Sequence, residues 1–172
     1  ARKPIDKTII EGGTGSFSAD FLQPEALPEK FESGTLNVPG ILGLSAGIDY
    51  VNSKGTDKIY RYELELAKYI YRGLSEIKGV MLYTAEPKLG EYVPTLSFNI
   101  SGIPSEETAR HLERDGIAVR AGLHCAPMAH RRIGTVDIGT VRVCCSSFNT
   151  KSEADALINS IKKLNFSQKI KK

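Results

Sequence analysis

The chain has 172 residues, a formal net charge of +3 and three cysteines. Hydrophobic residues make up 41% and charged residues 25%, an ordinary globular composition with room for one domain and part of another. So mild a charge does not indicate a nucleic-acid-binding protein, and there is no run of eighteen apolar residues that would predict a membrane span. The odd cysteine count argues against a secreted disulfide framework, so we expect a cytoplasmic protein. The start at Ala1 rather than methionine suggests part of a longer protein.

The first fifty residues are predicted to form glycine-bearing loops and one helix. A short strand at residues 6–10 runs into the stretch EGGTGS, and a second loop contains ESGTLN. Such loops let backbone N–H groups approach an anion, but the same sequences also form tight turns, and neither matches a phosphate-binding fingerprint. Residues 38–51 carry apolar residues at helical spacing. The break NSKGT that follows predicts a boundary, with one part at residues 1–52 and another at 53–172.

The second part is predicted to alternate helices with short strands. Residues 58–77 form the longest candidate helix, and its apolar stripe is expected to pack in a core. Strands are predicted at residues 80–84, 95–100, 117–120 and 139–144. Ser105 is expected to cap a helix through Leu112, and Thr150 with Glu153 fits a capping box that opens the last helix. The pattern predicts an α/β protein of the α+β layer type, with a small, mostly antiparallel sheet and helices packed on one side.

Cys125 is the leading candidate for chemistry. It lies in a loop between Gly122 and Pro127, with Arg120, His124, His130 and Arg131 close in sequence. Nearby cations stabilise a thiolate, the nucleophilic form of cysteine, so the setting favours a reactive thiol. A small apolar side chain in an ordered loop is the alternative. Cys144, in a strand, is expected to be hidden in the fold.

Two further readings of the polar residues stay open. Arg142 lies inside the apolar strand TVRV, and an arginine there needs an anion, either a ligand carboxylate or a neighbouring Asp or Glu, unless it faces water. A zinc site would draw on the histidines and cysteines of this region: His124, Cys125, His130, Cys144 and Cys145. Their spacing matches no standard zinc pattern, and adjacent cysteines in a strand point to opposite faces.

Four segments, FESGTLNVPG, GIAVRAGLHCAPMAH, GTVRV and FNT, occur in an order that resembles the C-terminal half of the class V aminotransferases, and within them the cysteine desulfurases. The resemblance runs from about Ile9 to Thr150. It implies a pyridoxal-phosphate (PLP) enzyme of the aspartate-aminotransferase fold. Residues 1–52 would be the end of the large PLP-binding domain, and residues 53–172 the small C-terminal domain.

The resemblance also assigns roles to particular residues. Cys125 matches the nucleophile that takes sulfur from L-cysteine, and Arg142 matches the arginine that holds the substrate carboxylate. Residues expected to line the substrate pocket are His124, Arg120 and Asn149. Thr35, with Gly34 beside it, matches the contact to the PLP phosphate, in this family usually across a dimer interface. No metal is implied.

The chain departs from the family pattern in two places. The lysine that binds PLP, usually in a Ser-x-His-Lys-like stretch, has no counterpart here, so we expect the chain alone to be inactive. In RVCCSSFNT, Cys144 and Ser147 stand where the family often has a serine and a tyrosine.

The leading hypothesis is therefore the C-terminal part of a homodimeric cysteine desulfurase that forms a persulfide and passes it to an acceptor protein, for iron–sulfur cluster assembly or thiolated cofactors. Another class V lyase or transferase, such as a selenocysteine lyase, is a close variant. A non-catalytic assembly domain and a zinc-bound structural domain are the other hypotheses.

Overall fold

A computed structural model describes residues 7–13, 15–16 and 19–170, with the backbone alone at 166–170. The chain divides into two compact units, Ala1–Ser53 and Lys54–Lys172. The assignment of these units to the large and small domains of a longer enzyme stays a prediction.

The described residues of the first unit form loops and two helical segments. A 3-10 helix covers Glu29–Phe31, and helix α1 covers Val38–Lys54, which confirms the predicted helix. None of the residues of α1 is buried. The predicted strand at residues 6–10 is wrong over its described part, residues 7–10, because Ile9 and Ile10 are largely exposed and pair with no other strand there.

The described residues of the second unit form four strands and four helices. In chain order these are α2 (Thr56–Ser75), β1 (Val80–Leu82), β2 (Thr95–Ile100), α3 (Ser105–Arg114), β3 (Arg120–Gly122), α4 (Pro127–Ile133), β4 (Thr140–Cys144) and α5 (Lys151–Ile170). The strands form one sheet in the order β1-β2-β4-β3, and every neighbouring pair is antiparallel. This confirms the predicted small antiparallel sheet.

One face of the sheet is covered by α2, α3 and α5, which confirms that helices pack on one side. The predicted stripe of α2 contributes Leu66, Ile70 and Leu74 to this core, and β2 contributes the fully buried Phe98. Each such side chain stabilises the fold by about 1.5–3 kcal/mol through apolar burial. The sheet is thus held from its helical side.

The opposite face, here called the polar face, carries the alternate residues of the two central strands. Side chains point to opposite faces at successive positions of a strand, so the partners of the core residues face away from the helices. The residues of this face are Thr95, Ser97 and Asn99 in β2 and Thr140, Arg142 and Cys144 in β4. This polar surface is where the candidate site lies.

Three local predictions need correction. The strand predicted at residues 117–120 begins only at Arg120, because Ile117 and Val119 pack against the core outside the sheet. Ser105 does not cap α3: Pro104 is the N-cap, and the buried Ser105 hydroxyl instead donates to the carbonyl of Ile138 at 2.8 Å. Helix α4, which follows directly on the loop of Cys125, was not predicted.

The predicted capping box at the start of α5 is confirmed. The backbone N–H of Thr150 donates to the Glu153 carboxylate at 2.6 Å, and the N–H of Glu153 donates to the Thr150 hydroxyl at 3.3 Å. One N–H group of the first helical turn and the N–H of the residue before the helix are thereby satisfied.

Candidate active site

Two arginines face each other across the polar side of the sheet. Arg120 of β3 and Arg142 of β4 are directly paired in the antiparallel register, so their side chains leave the sheet on the same face. Within the described part of the chain, neither forms an ion pair with a carboxylate. Directly opposed like charges destabilise a sheet, and two unpaired guanidinium groups suit a bound anion.

Cys125 is an exposed thiol in a tight turn that follows β3. The turn is closed by a backbone hydrogen bond from Ala126 N–H to the carbonyl of Leu123, at 2.8 Å. Its two central residues, His124 and Cys125, have φ of 53° and 58°, the left-handed region that L-residues seldom adopt. Each such residue costs about 1–2 kcal/mol, so other contacts must hold the turn.

The imidazole of His124 fastens this turn to β4. Its Nε2 lies 3.0 Å from the backbone carbonyl oxygen of Thr140 and 3.3 Å from the Thr140 hydroxyl. Thr140 is buried, and so is the nearby His130, whose ring centroid is 5.7 Å from that of His124. His130 is itself fixed, with its Nδ1 2.7 Å from the Thr135 hydroxyl. The turn is thus attached to buried residues that are themselves held by hydrogen bonds or packing.

The electrostatic setting of His124 is positive. Burial lowers the pKa of its imidazole, and the positive charges of Arg142 and Arg120 lower it further, against an opposing effect of the hydrogen bond to Thr140. Both arginines are therefore close enough to act on the residue that precedes Cys125. A positive field of this kind favours a bound carboxylate.

The base of the turn depends on a close approach of two glycines. Gly122 and Gly139 both have positive φ, 99° and 59°, and a Cβ placed on Gly139 would lie 2.6 Å from the Cα of Gly122. The Gly139 carbonyl accepts a hydrogen bond of 2.9 Å from Nδ2 of the buried Asn99. Gly139, which precedes the first residue of β4, is therefore held both by its contact with Gly122 and by its hydrogen bond from Asn99.

The two adjacent cysteines have different environments. Cys144 was expected to be hidden, and this is wrong: it lies on the polar face and is exposed, whereas Cys145 is half-buried against the core. The alternation of β4 explains this, because Val141 and Val143 take the core face and Cys145 follows them. Burial, with smaller effects of Cys144 and Glu63, raises the pKa of Cys145 to about 11.

Asn149 lies in the turn before α5. Its side-chain oxygen accepts a hydrogen bond from Ser146 N–H at 2.9 Å, and its backbone carbonyl accepts one from the Tyr62 hydroxyl at 2.6 Å. With the start of α5 and the end of β4 it lines a groove of about 440 Å³ next to α2. A substrate contact of Asn149 stays a prediction.

Gly34 and Thr35 belong to the first unit. Gly34 has a φ of 80°, and its N–H donates to the carbonyl of Gly13 at 2.8 Å, so the two glycine-bearing loops are tied together. That N–H is therefore not free for an anion. The side chain of Thr35 is exposed, and among the described residues it has no hydrogen-bond partner. Contacts of Thr35 and Gly34 to a PLP phosphate stay predictions.

The described residues contain no group of three or more histidine, cysteine or acidic side chains that could hold a metal ion. No helix in the same part of the chain has the length and apolar character to cross a membrane.

The fold and these residues agree with a family assignment. Residues 5–157 match the family model of the class-V aminotransferases, and the chain belongs to that family. Two curated relatives are each called a probable cysteine desulfurase. The one from Synechocystis sp. is 36% identical over 135 residues, and the one from Halalkalibacterium halodurans is 38% identical over 137 residues.

The match covers 78% and 80% of this chain but 32% of each relative, so the chain spans about a third of their length. A solved structure gives the same result. The apo cysteine desulfurase from Thermococcus onnurineus NA1 superposes with a TM-score of 0.72 and 34% identity, over 81% of this chain and 34% of that protein. The predicted family and fold are confirmed.

The structure pairs Arg120 with Arg142 in the sheet and places His124, which precedes Cys125 in the chain, within their electrostatic reach. The sequence had singled out all four residues. Sequence reasoning missed Thr140 and Asn99, the polar residues that support them. The alternation of polar and apolar residues in TLSFNI and TVRV was the available signal, since it places these two residues on the face of Arg142.

Proposed function

We propose that this chain is the C-terminal part of a PLP-dependent cysteine desulfurase, which converts L-cysteine to L-alanine and carries the sulfur as a persulfide on Cys125. The observation that supports it best is the position of two neighbouring arginines, Arg120 and Arg142, near the turn that carries an exposed thiol. Among the described residues, neither arginine has a carboxylate partner. A carboxylate-binding group and a nucleophile are the two functions that this reaction needs from the small domain.

Arg142 is the proposed holder of the substrate carboxylate. Its position on a central strand gives it a rigid backbone, and a guanidinium group binds a carboxylate through two parallel hydrogen bonds. Arg120, opposite it, adds a second positive charge on the same face. Orientation of the amino acid by fixed groups lowers the entropic part of the barrier.

Cys125 is the proposed sulfur acceptor. Its thiolate attacks the sulfur of the bound cysteine, an S–S bond forms, and the C–S bond breaks with its electron pair going to the β-carbon. Protonation of that carbon yields the methyl group of alanine. Overall, enzyme thiol plus cysteine gives enzyme persulfide plus alanine, so atoms and electrons balance without a further oxidant or reductant. The exposure of Cys125 leaves the persulfide accessible to a protein that removes it.

PLP, which the family implies, supplies the electron sink for this bond cleavage. Of the residues in this chain, Thr35 would contact its phosphate, and Gly34 gives the loop its left-handed bend. A Schiff-base lysine would come from outside the chain. A homodimer, a persulfide-acceptor protein, a role in iron–sulfur cluster assembly and a cytoplasmic location are parts of the same proposal.

The test uses the chain joined to the PLP-lysine-bearing segment of a full-length family member, with PLP and L-cysteine. Cys125→Ser is compared with Cys144→Ser, which removes the other exposed thiol and serves as the matched control. We expect alanine release to fall at least about 100-fold in Cys125→Ser and to persist in Cys144→Ser, because the nucleophile acts as part of a catalytic unit. Mass spectrometry should place one extra sulfur on the peptide that contains Cys125.

Equal alanine release from Cys125→Ser and the unsubstituted protein would contradict the proposal. It would leave a class V enzyme whose chemistry does not use this thiol.

A further inference from the structure

We propose that His124 is a positioning residue: its Nε2–H···O=C bond to Thr140 holds the turn that presents Cys125, and its ring does not bind substrate. The role of His124 in holding the turn does not depend on the proposed function. The expected effect of losing it on sulfur transfer does rest on that function. The resemblance to the family had placed His124 in the lining of the substrate pocket. The geometry points instead to a structural role toward the nucleophile.

Neither ring nitrogen of His124 is available to a substrate. A backbone carbonyl only accepts hydrogen bonds, so the Nε2 that lies 3.0 Å from the Thr140 oxygen must carry the proton. The lone pair then belongs to Nδ1, which is buried and has no hydrogen-bond partner among the described residues. A ring bound at one nitrogen and buried at the other can fix a backbone but cannot reach a ligand.

The anchor point on β4 is rigid. Thr140 is 1% exposed and pairs in register with Gly122, three residues before Cys125. The preceding carbonyl, of Gly139, is held by Asn99 at 2.9 Å. A hydrogen bond to Thr140 therefore connects the turn to the centre of the sheet.

The turn needs such an anchor. His124 and Cys125 both occupy the left-handed region, and a single backbone bond, from Ala126 N–H to the Leu123 carbonyl, closes the turn. Residues other than glycine disfavour this conformation, and asparagine, aspartate and histidine tolerate it best. Without the ring contact, the turn would relax and the Cys125 thiol would lose its defined position.

Two substitutions separate the hydrogen bond from the backbone preference. In His124→Gln the side-chain amide nitrogen takes roughly the place of Nε2, so the donor to Thr140 is kept. In His124→Asn the shorter side chain does not reach, although asparagine tolerates a left-handed backbone at least as well as histidine. A turn held by backbone preference alone would therefore be as stable or more stable with asparagine.

The measurement is amide hydrogen exchange by NMR on the 172-residue chain. Exchange at Ala126 reports opening of the turn, and exchange at Leu112 in α3 reports unfolding of the second unit. We expect the Ala126 rate, relative to Leu112, to rise about five-fold in His124→Asn, the factor that one net hydrogen bond contributes to an equilibrium. His124→Gln should stay within two-fold of the unsubstituted chain, on the same basis.

Several outcomes would overturn the proposal. An unchanged or slower relative rate in His124→Asn would show that the bond does not hold the turn. Equal acceleration in both variants would assign the effect to the ring rather than to its donor. A change at Ala126 that matches the change at Leu112 would show that the turn has no separate anchor.

A kinetic measurement in the assembled enzyme, prepared as for the Cys125 test, gives the second readout. We expect His124→Asn to lower kcat for alanine release with KM for L-cysteine within about two-fold, and His124→Gln to restore kcat, since only ground-state binding raises KM alone. A raised KM with unchanged kcat would mean that His124 binds substrate, which overturns the proposal. No alanine from the unsubstituted enzyme would contradict the proposed function alone, and hydrogen exchange would then decide the anchor.

Discussion

Arg120 and Arg142 stand directly opposite one another on β3 and β4, with both guanidinium groups on the polar face of the sheet. Within the described residues, no carboxylate forms an ion pair with either of them. A sheet built for stability alone would not place two cations in this register, because the repulsion opposes folding. The pair therefore represents a cost in stability that a bound anion would offset.

The first prediction concerns that cost. Arg120→Gln and Arg142→Gln should each raise the free energy of unfolding by about 0.2–1 kcal/mol, the range for a cross-strand pair. The double variant should gain no more than either single variant, because one repulsion is removed in both cases. Urea denaturation at low salt measures this, and the gain should shrink at high ionic strength. Gains that add in the double variant would show that the arginines do not repel each other.

The second prediction concerns the substrate. Arg142→Gln in the assembled enzyme should raise KM for L-cysteine about 10- to 100-fold, the factor for losing hydrogen bonds to a charged group. Arg131→Gln is the matched control, since Arg131 lies exposed on α4 outside the sheet. Steady-state alanine release measures both. An equal rise in KM for the control would mean that the net charge of the region, rather than Arg142, attracts cysteine.

The third prediction concerns the contact of two glycines. Gly139→Ala should destabilise the chain by more than Gly134→Ala, although both have positive φ, 59° and 71°. A side chain at Gly134 meets nothing within 4 Å, so only the left-handed cost of about 1–2 kcal/mol applies there. At Gly139 the new Cβ would also collide with the backbone of Gly122, which adds about 1–3 kcal/mol. Thermal or urea unfolding compares the two; equal losses would mean that the backbones separate freely.

The fourth prediction concerns the thiols. Because the pKa of Cys145 is raised to about 11 by burial, Cys144 and Glu63, its thiolate is scarce at pH 8. Iodoacetamide should therefore modify Cys145 about 100-fold more slowly than a free thiol, since the thiolate is the nucleophile. Peptide mass spectrometry should find Cys125 and Cys144, both exposed, modified first. Modification of all three at one rate would contradict the burial of Cys145.

The fifth prediction concerns pH. The pKa of His124 in the folded chain lies below its ordinary value because of burial and the positive charges of Arg142 and Arg120. Folding therefore releases a proton as the pH falls through the range where unfolded histidine titrates, near pH 6.5. The contribution to stability is complete above that pH and is lost as pH falls toward the folded pKa. Unfolding free energies from pH 8 to 5 should fall more steeply for the unsubstituted chain than for His124→Gln. Parallel curves would exclude this linkage.

Periodic and capped segments could be predicted well from the sequence. Strand β2 was predicted with its observed bounds, and the stripe of α2 supplies the core as expected, because both patterns are long enough to reveal which face is buried. The capping box of Thr150 and Glu153 is a local motif whose partners lie three residues apart. Such features depend on short-range chemistry alone.

The rest depended on tertiary contacts. Ile117 and Val119 are apolar enough for a strand, but they pack against the core, and the pairing begins at Arg120 instead. Helix α4 has seven residues, too few for a periodic pattern, although Pro127 at its start was a usable signal. Cys125 and Arg142 were singled out from their residue types and local settings, and the resemblance to the family added Arg120 as a pocket residue. Thr140 and Asn99 were not, because their importance lies in which backbone groups they meet.

Along the five residues of β4, positions that pack in the core alternate with positions that face the candidate site. Val141 faces the hydrophobic core, and its neighbour Arg142 lies on the polar face, where the substrate carboxylate is proposed to bind. Randomising positions 95, 97 and 144, which share the face of Arg142 but bear no proposed role, would change the ligand environment while leaving the packing intact. The sheet thus offers a surface on which new substrate preferences could be selected in the laboratory without first redesigning the fold.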